Sequence, residues 1–128
     1  MKVPPKIKTF IWRAIKNSLI VKENLASRGV KLDSTCCICK LNVESQEHMF
    51  FWCAYANLVW FAGPSYYKPN LVGFSSFPQW WNDIVENFWT EPYILDMIAL
   101  TCWYIWKARC KVVFEKELSG LQHIIFKN

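Results

Sequence analysis

Residues 36–53 read CCICKLNVESQEHMFFWC, and the spacing Cys36-x2-Cys39-x8-His48-x4-Cys53 inside them decides how the rest of the chain is understood. Two cysteines separated by two residues in a tight turn deliver two sulfurs to one ion. An imidazole and a third thiolate from the next element complete the tetrahedron that Zn²⁺ prefers. Four protein ligands leave no position open for water, so such a site is structural rather than hydrolytic. Three thiolates and a neutral imidazole around Zn²⁺ sum to −1, which Lys31 and Lys40 beside them would partly offset. The competing readings are a disulfide scaffold, which needs an oxidising compartment to which nothing here points, and chance cysteines in an aromatic-rich core. Cys37 raises a question of register. Pairing it with Cys39 would leave one residue between ligands, a strained bite, so Cys37 is taken as spare. Cys102 and Cys110 read as small buried hydrophobes on a helix, and His123 as isolated and exposed.

The last two ligands set a geometric condition. On a straight α-helix His48 and Cys53 would stand ~140° apart, too divergent to share an ion. A turn is therefore expected around His48, capped by Ser45 and beginning near Gln46, with regular helix starting near Cys53.

Working outward, Ile7, Phe10, Ile11, Ala14, Ile15 and Leu19 follow helical spacing after Pro4-Pro5, with Lys8, Arg13 and Lys16 off the apolar stripe. A second short helix is expected from about 21 to 28, stopped by Gly29. Downstream, Phe51, Trp52, Tyr55, Leu58, Val59 and Trp60 continue a helical pattern that Gly63-Pro64 ends. Residues 63–76 read as a long loop. Ser76-Phe77-Pro78-Gln79 then opens a helix presenting Trp80, Ile84, Phe88 and Trp81 to a core. Thr90-Glu91-Pro92 opens the longest helix, whose positions Ile94, Leu95, Ile98, Ala99, Cys102, Ile105 and Trp106 place it centrally. The charged run from Lys107 to Lys116 is expected to return it to water. Nothing alternates with period two. The expected class is therefore all-α: a small helical domain with a CCHC zinc knuckle over 1–62, a loop over 63–76, and a Trp-rich helical pair over 77–128 leading to a truncated end.

A chain that is 53% hydrophobic and 20% charged, with eight tryptophans, has apolar surface enough for a core, which argues against disorder. No secretory signal is visible, and the run Met97 to Trp106 falls short of the ~18–20 uncharged residues of a membrane span. The setting expected is intracellular, with nothing to choose nucleus over cytoplasm. Charge is uneven: residues 1–40 carry nine Lys/Arg against Glu23 and Asp33, whereas residues 41–128 carry six against eight acids. That asymmetry suits nucleic-acid contact through the N-terminal part, and equally a solvated helix face.

Several of these residues together resemble a known family, the zinc-binding domain of reverse transcriptases (zf-RVT), abundant in plant LINE-type (non-LTR) retrotransposons. The likeness runs from Val3-Pro4-Pro5-Lys6-Ile7-Lys8-Thr9-Phe10-Ile11-Trp12-Arg13-Ala14 through Asn24-Leu25-Ala26-Ser27-Arg28-Gly29 into the cysteine pair. It continues over Glu44-Ser45-Gln46-Glu47-His48-Met49-Phe50 and Cys53 to Val59-Trp60. Trp103-Tyr104-Ile105-Trp106-Lys107-Ala108-Arg109 and Phe114 look like the helix that follows this domain ahead of a ribonuclease H-like region. The resemblance implies ligand roles for Cys36, Cys39, His48 and Cys53, one zinc ion, and a place C-terminal to a polymerase domain where the module helps handle RNA or DNA. Two departures stand out. Val21 replaces a threonine helix cap, a loss of ~0.5–2 kcal/mol, and Cys110 replaces an asparagine.

The expected function is thus a non-catalytic zinc module assisting RNA or single-stranded DNA binding, with Lys6, Lys8, Arg13, Lys16 and Lys40 as candidate contacts. Phe50, Phe51 and Trp52 flank the site and could stack on bases, although core packing is the reading for at least two of them. The alternative is a structural module docking on the polymerase and ribonuclease H domains, which a patch around Trp80, Trp81, Trp103 and Trp106 would favour. Neither a membrane nor a small-molecule substrate is implied. An enzyme is not expected: there is no paired-aspartate polymerase motif, no open zinc position, and no histidine near the cysteines free to act as a base.

Overall fold

Pro5 can begin a helix at no cost because its missing N–H would have been unpaired there, and α1 (Pro5–Ile15) starts on it. The computed structural model describes residues 2–63, 67–69 and 76–126, and of 116–126 the helical backbone alone. α1 buries Ile7, Phe10, Ile11 and Ala14, the stripe expected of it. It stops short of Leu19 because Asn17 takes a left-handed φ of 51°, a conformation asparagine tolerates. Leu19 is still buried, but from the turn that follows rather than from the helix.

α2 (Lys22–Ser27) lies within the span expected for it, and Gly29 ends it at φ 87°. The Val30 N–H reaches the Leu25 carbonyl and the Gly29 N–H the Ala26 carbonyl, a Schellman closure that needs a residue free of Cβ strain. A turn-rich loop follows, pinned by one isolated antiparallel bridge between Thr35 and Val43. Among the described residues there is no strand, so the fold is all-α as expected.

The chain re-enters helix through a π-helical turn, His48–Trp52, and then α3 (Ala54–Ala62). The wider turn shifts register, which corrects the pattern read along one continuous helix. Phe51, Ala56 and Trp60 face inward, whereas Trp52 and Leu58 are exposed. Gly63 caps α3, but most of the loop expected over 63–76 lies outside the described residues, as does the side chain of His123.

α4 (Phe77–Phe88) begins with Ser76 Oγ facing the Gln79 N–H at 3.4 Å and buries Phe77, Trp80, Trp81 and Ile84. α5 (Pro92–Phe126) runs beside α1, α3, α4 and the π turn, burying Leu95, Ile98, Ala99, Cys102 and Ile105. Rings join these elements at their centre. Phe10 of α1 meets Trp103 of α5 edge-on at 5.3 Å, Phe50 lies 5.0 Å from Phe77, and Phe51 meets Trp80 at 4.7 Å. Such pairs add about 0.5–1.5 kcal/mol each beyond the area they bury.

The condition that would favour docking through a tryptophan patch is not met, and one surface expectation needs correcting. Trp80 and Trp81 are buried and Trp103 and Trp106 half-buried, so those four form no exposed patch. The aromatic cluster has absorbed them. The run from Lys107 does return to water at Lys107, Lys111 and Glu115, but Arg109 is 6% exposed and points inward, for reasons that belong to the site.

Candidate metal centre

Cys36 and Cys39 stand at the two ends of a turn closed by the Lys40 N–H bonding to the Cys36 carbonyl at 2.9 Å. Lys40 takes φ 61°, a left-handed position uncommon for a side chain other than glycine, asparagine or aspartate. That reversal brings the Leu41 and Asn42 amides onto Cys39 Sγ, and the Cys36 N–H pairs with the Asn42 carbonyl at 2.8 Å. The loop thus holds its sulfurs by backbone hydrogen bonds.

The second half of the site meets the geometric condition set by the sequence. Ser45 Oγ accepts the His48 N–H at 3.0 Å, as expected of a capping serine. The π turn then bonds the Cys53 N–H to the His48 carbonyl at 2.8 Å. A five-residue step closed by its own hydrogen bond brings together two residues that an α-helix would hold apart. Cys53 itself is extended (φ −67°, ψ 138°), and α3 begins just after it.

As a result, one ligand atom each from Cys36, Cys39, His48 and Cys53 lie within 4.8 Å of one another, and His48 Nε2 is 3.3 Å from Cys39 Sγ. A tetrahedron with Zn–S bonds of about 2.3 Å has edges near 3.8 Å. The four atoms therefore need only a small contraction to share an ion, and thiolate with imidazole is the donor chemistry zinc takes. Cys36, His48 and Cys53 are buried and Cys39 half-buried. Cys37 is buried outside the group, as its register predicts, and Cys102 is buried in the core.

The ionisation of the metal-free group shows what a cation would change. Burial pushes the Cys53 thiol up to about 11, with Cys36 and Cys39 adding like charge. Burial also opposes ionisation of Cys39, but the Leu41 and Asn42 amides and the Cys36 and Cys53 side chains bring it below the usual thiol value. Burial lowers His48, with Glu44 pulling weakly the other way, so the imidazole is held in the neutral form a metal requires. A divalent cation at the centre would favour the thiolates outright.

The residues between the two halves supply what sequence reasoning missed. Glu44 is fully buried. Its Oε2 accepts Arg109 Nε at 3.0 Å and its Oε1 accepts Arg109 Nη2 at 2.6 Å, a bidentate pair. Oε1 also accepts the Lys22 N–H at 3.0 Å. A carboxylate from the loop therefore serves the start of α2, where Val21 offers no side-chain cap. Gln46 accepts the Leu19 N–H at 3.1 Å and donates to the Ala14 carbonyl at 2.8 Å, joining the turn after α1. Glu47 Oε2 accepts the Phe77 N–H at 3.0 Å at the start of α4. Glu44, Gln46 and Glu47 thus tie the metal loop to α1, α2, α4 and α5. The sequence signal was available: three polar side chains crowded just before the apolar run Met49-Phe50-Phe51. Periodicity assigns no partner to such residues.

The candidate basic contacts are all at the surface. Lys6, Lys8, Arg13 and Lys16 are exposed along α1 and its C-cap, and Lys40 is exposed on the loop. Lys6 Nζ lies 5.8 Å from the Trp103 ring centre and Lys16 Nζ 4.0 Å from that of Trp12. Of the three aromatics flanking the site, Phe50 and Phe51 are buried and Trp52 is exposed. No helix among the described residues is long and apolar enough to cross a membrane.

Comparison with known proteins agrees with this geometry. Residues 1–60 match the family described as zinc-binding in reverse transcriptase, a span containing all four clustered residues. Family and cluster together point to one zinc ion. Across 98% of its length the chain is 25% identical to an Arabidopsis thaliana protein named "Putative ribonuclease H protein At1g65750", and it spans 21% of that relative. No solved structure matches the chain.

Proposed function

We propose, from the premise that residues 1–60 fall in the reverse-transcriptase zinc-binding family, that this is a non-catalytic zinc module of a retrotransposon-derived protein. Its structural metal holds a basic surface ready for RNA or DNA. Cys36, Cys39, His48 and Cys53 are the ligands. Zinc affinity at such sites is on the order of 10–16 kcal/mol apparent, comparable to the whole stability of a small domain, so the metal supplies a large share of the loop's stability.

The observation that carries the nucleic-acid reading is the exposed face of α1. Lys6, Lys8, Arg13 and Lys16 all lie in water, and the segment from Pro5 to Lys16 contains no acid. Phosphate contacts from such a face bind without sequence preference and weaken with salt as counterions are released. Titrating labelled RNA with the zinc-loaded chain at low and physiological salt tests it. Binding should fall steeply with salt, and charge reversal at Lys8 and Arg13 should reduce the slope. A flat response would remove the reading.

A second reading, docking on neighbouring polymerase and ribonuclease H domains, is favoured by a different observation. An apolar groove of about 550 Å³ between α3 and α5 is lined by Leu58, Val59, Met97, Leu100 and Tyr104 among others. Leu58 and Tyr104 are mostly exposed. Leu58→Glu should abolish such docking and leave RNA binding unaltered.

A further inference from the structure

We infer that Trp12 is a base-stacking platform, so that the nucleic acid this module takes is single-stranded. The inference rests on the nucleic-acid reading above and makes it specific. Trp12 is 56% exposed although α1 is flanked by an extensive aromatic core. Its neighbours on the helix are chosen by spacing. Lys8 is four residues before it and Lys16 four residues after it, so the three share one face. Lys16 Nζ sits 4.0 Å from the indole centre, which covers one face of the ring with positive charge. The core does not need Trp12: the buried contacts of α1 are made by Ile7, Phe10, Ile11 and Ala14.

The chemistry of this arrangement is specific. Lys8 and Lys16 are rooted about 12 Å apart along the helix, and with the Lys16 ammonium over one face of the ring, the other face of a ring more than half exposed is left for a base, with cations beside it for phosphate. Every base has a π-face, so such a platform accepts any sequence, but only when the base is free of a partner strand. A duplex keeps its bases stacked on one another, and would meet only the lysines. Trp52, the exposed aromatic beside the metal centre, has no lysine at the corresponding helical spacing (Glu47-His48 before it and Ala56 after it). Trp12 alone of these two has a lysine four residues to each side.

The test uses the zinc-loaded full chain with fluorescein-labelled oligouridylate, oligothymidylate and a mixed-sequence DNA duplex, read by anisotropy at low salt. Trp12→Ala should weaken binding to the single strands roughly 5- to 150-fold, the range for losing one base–aromatic stack. Trp12→Phe should recover much of it, and duplex binding should change little. Equal affinity of wild type and Trp12→Ala for the single strands would overturn the stacking role while leaving a salt-dependent phosphate interaction intact. An equal loss on single strands and duplex would overturn the single-strand selectivity. No binding to any probe would overturn both this inference and the reading beneath it. Zinc content and circular dichroism of each variant confirm that the fold persists, as expected for an exposed position. The two single-stranded probes separate RNA from DNA.

Discussion

Replacing Arg109 by methionine keeps the apolar stem that lies near Trp106 (guanidinium carbon 5.2 Å from the ring centre) and removes only the charged fork. Among the described residues Glu44 would then hold a buried carboxylate with one remaining partner, the Lys22 N–H at 3.0 Å. The pair is hidden from solvent on both sides, with side-chain exposures of 7% and 0%. Removing one member of a buried, bidentate pair costs about 3–5 kcal/mol, mostly because the other charge is left uncompensated. Against a stability of about 5–15 kcal/mol for a domain, that is a large share. At roughly 3–5 °C per kcal/mol for a chain of this size, Tm should fall by ~10–20 °C. The assay is thermal and urea unfolding of zinc-loaded wild type, Arg109→Met, Glu44→Gln and the double variant. Glutamine keeps an acceptor for the Lys22 N–H without a charge, so the double variant should recover at least half of the Arg109→Met loss. If Arg109→Met unfolds within about 0.5 kcal/mol of wild type, or the two losses simply add, the pair does not link the loop to α5 as argued.

Three further outcomes are expected. The purified chain should carry one zinc, lost in Cys39→Ser and His48→Ala and retained in Cys37→Ser and Cys110→Ser, as measured by elemental analysis; zinc retained in His48→Ala would overturn the ligand set. Gln46→Ala leaves the Leu19 N–H and the Ala14 carbonyl without a side-chain partner, at about 1–3 kcal/mol for each buried group, and a urea midpoint unchanged from wild type would contradict it. In the metal-free protein the His48 pKa is depressed below 6.5 by burial. The unfolded chain therefore binds the proton first as pH falls, and the stability present above about 6.5 is lost as pH falls through the folded value. Urea midpoints of chelated wild type should drop on acidification more than those of His48→Asn, and parallel curves would refute the assignment.

Much of the local structure was legible because it follows from short-range chemistry. The apolar spacing of Ile7, Phe10, Ile11 and Ala14 sets the buried face of α1, and Gly29 marks the end of α2, since only the residues near it decide the backbone there. The metal group was legible for a similar reason: CxxC in a turn confines two sulfurs, and the five-residue step from His48 to Cys53 requires a departure from α-helix. The form of that departure was not legible. A π turn shifts register by its wider closure, which moved Trp52 and Leu58 outward and Ala56 inward, and no periodic pattern records it.

By itself, then, the order of residues determined the helical class, the four cysteine and histidine side chains that cluster, and the basic character of α1. What only the tertiary structure decided is which polar side chains would be withdrawn from water. Arg109 lies 65 residues from Glu44 and reads as one more charge in an exposed run. It is buried because a carboxylate already enclosed by the loop and α2 needs a cation within hydrogen-bond reach. Long-range pairing of this kind depends on where the helices meet, and spacing along the chain carries no record of that.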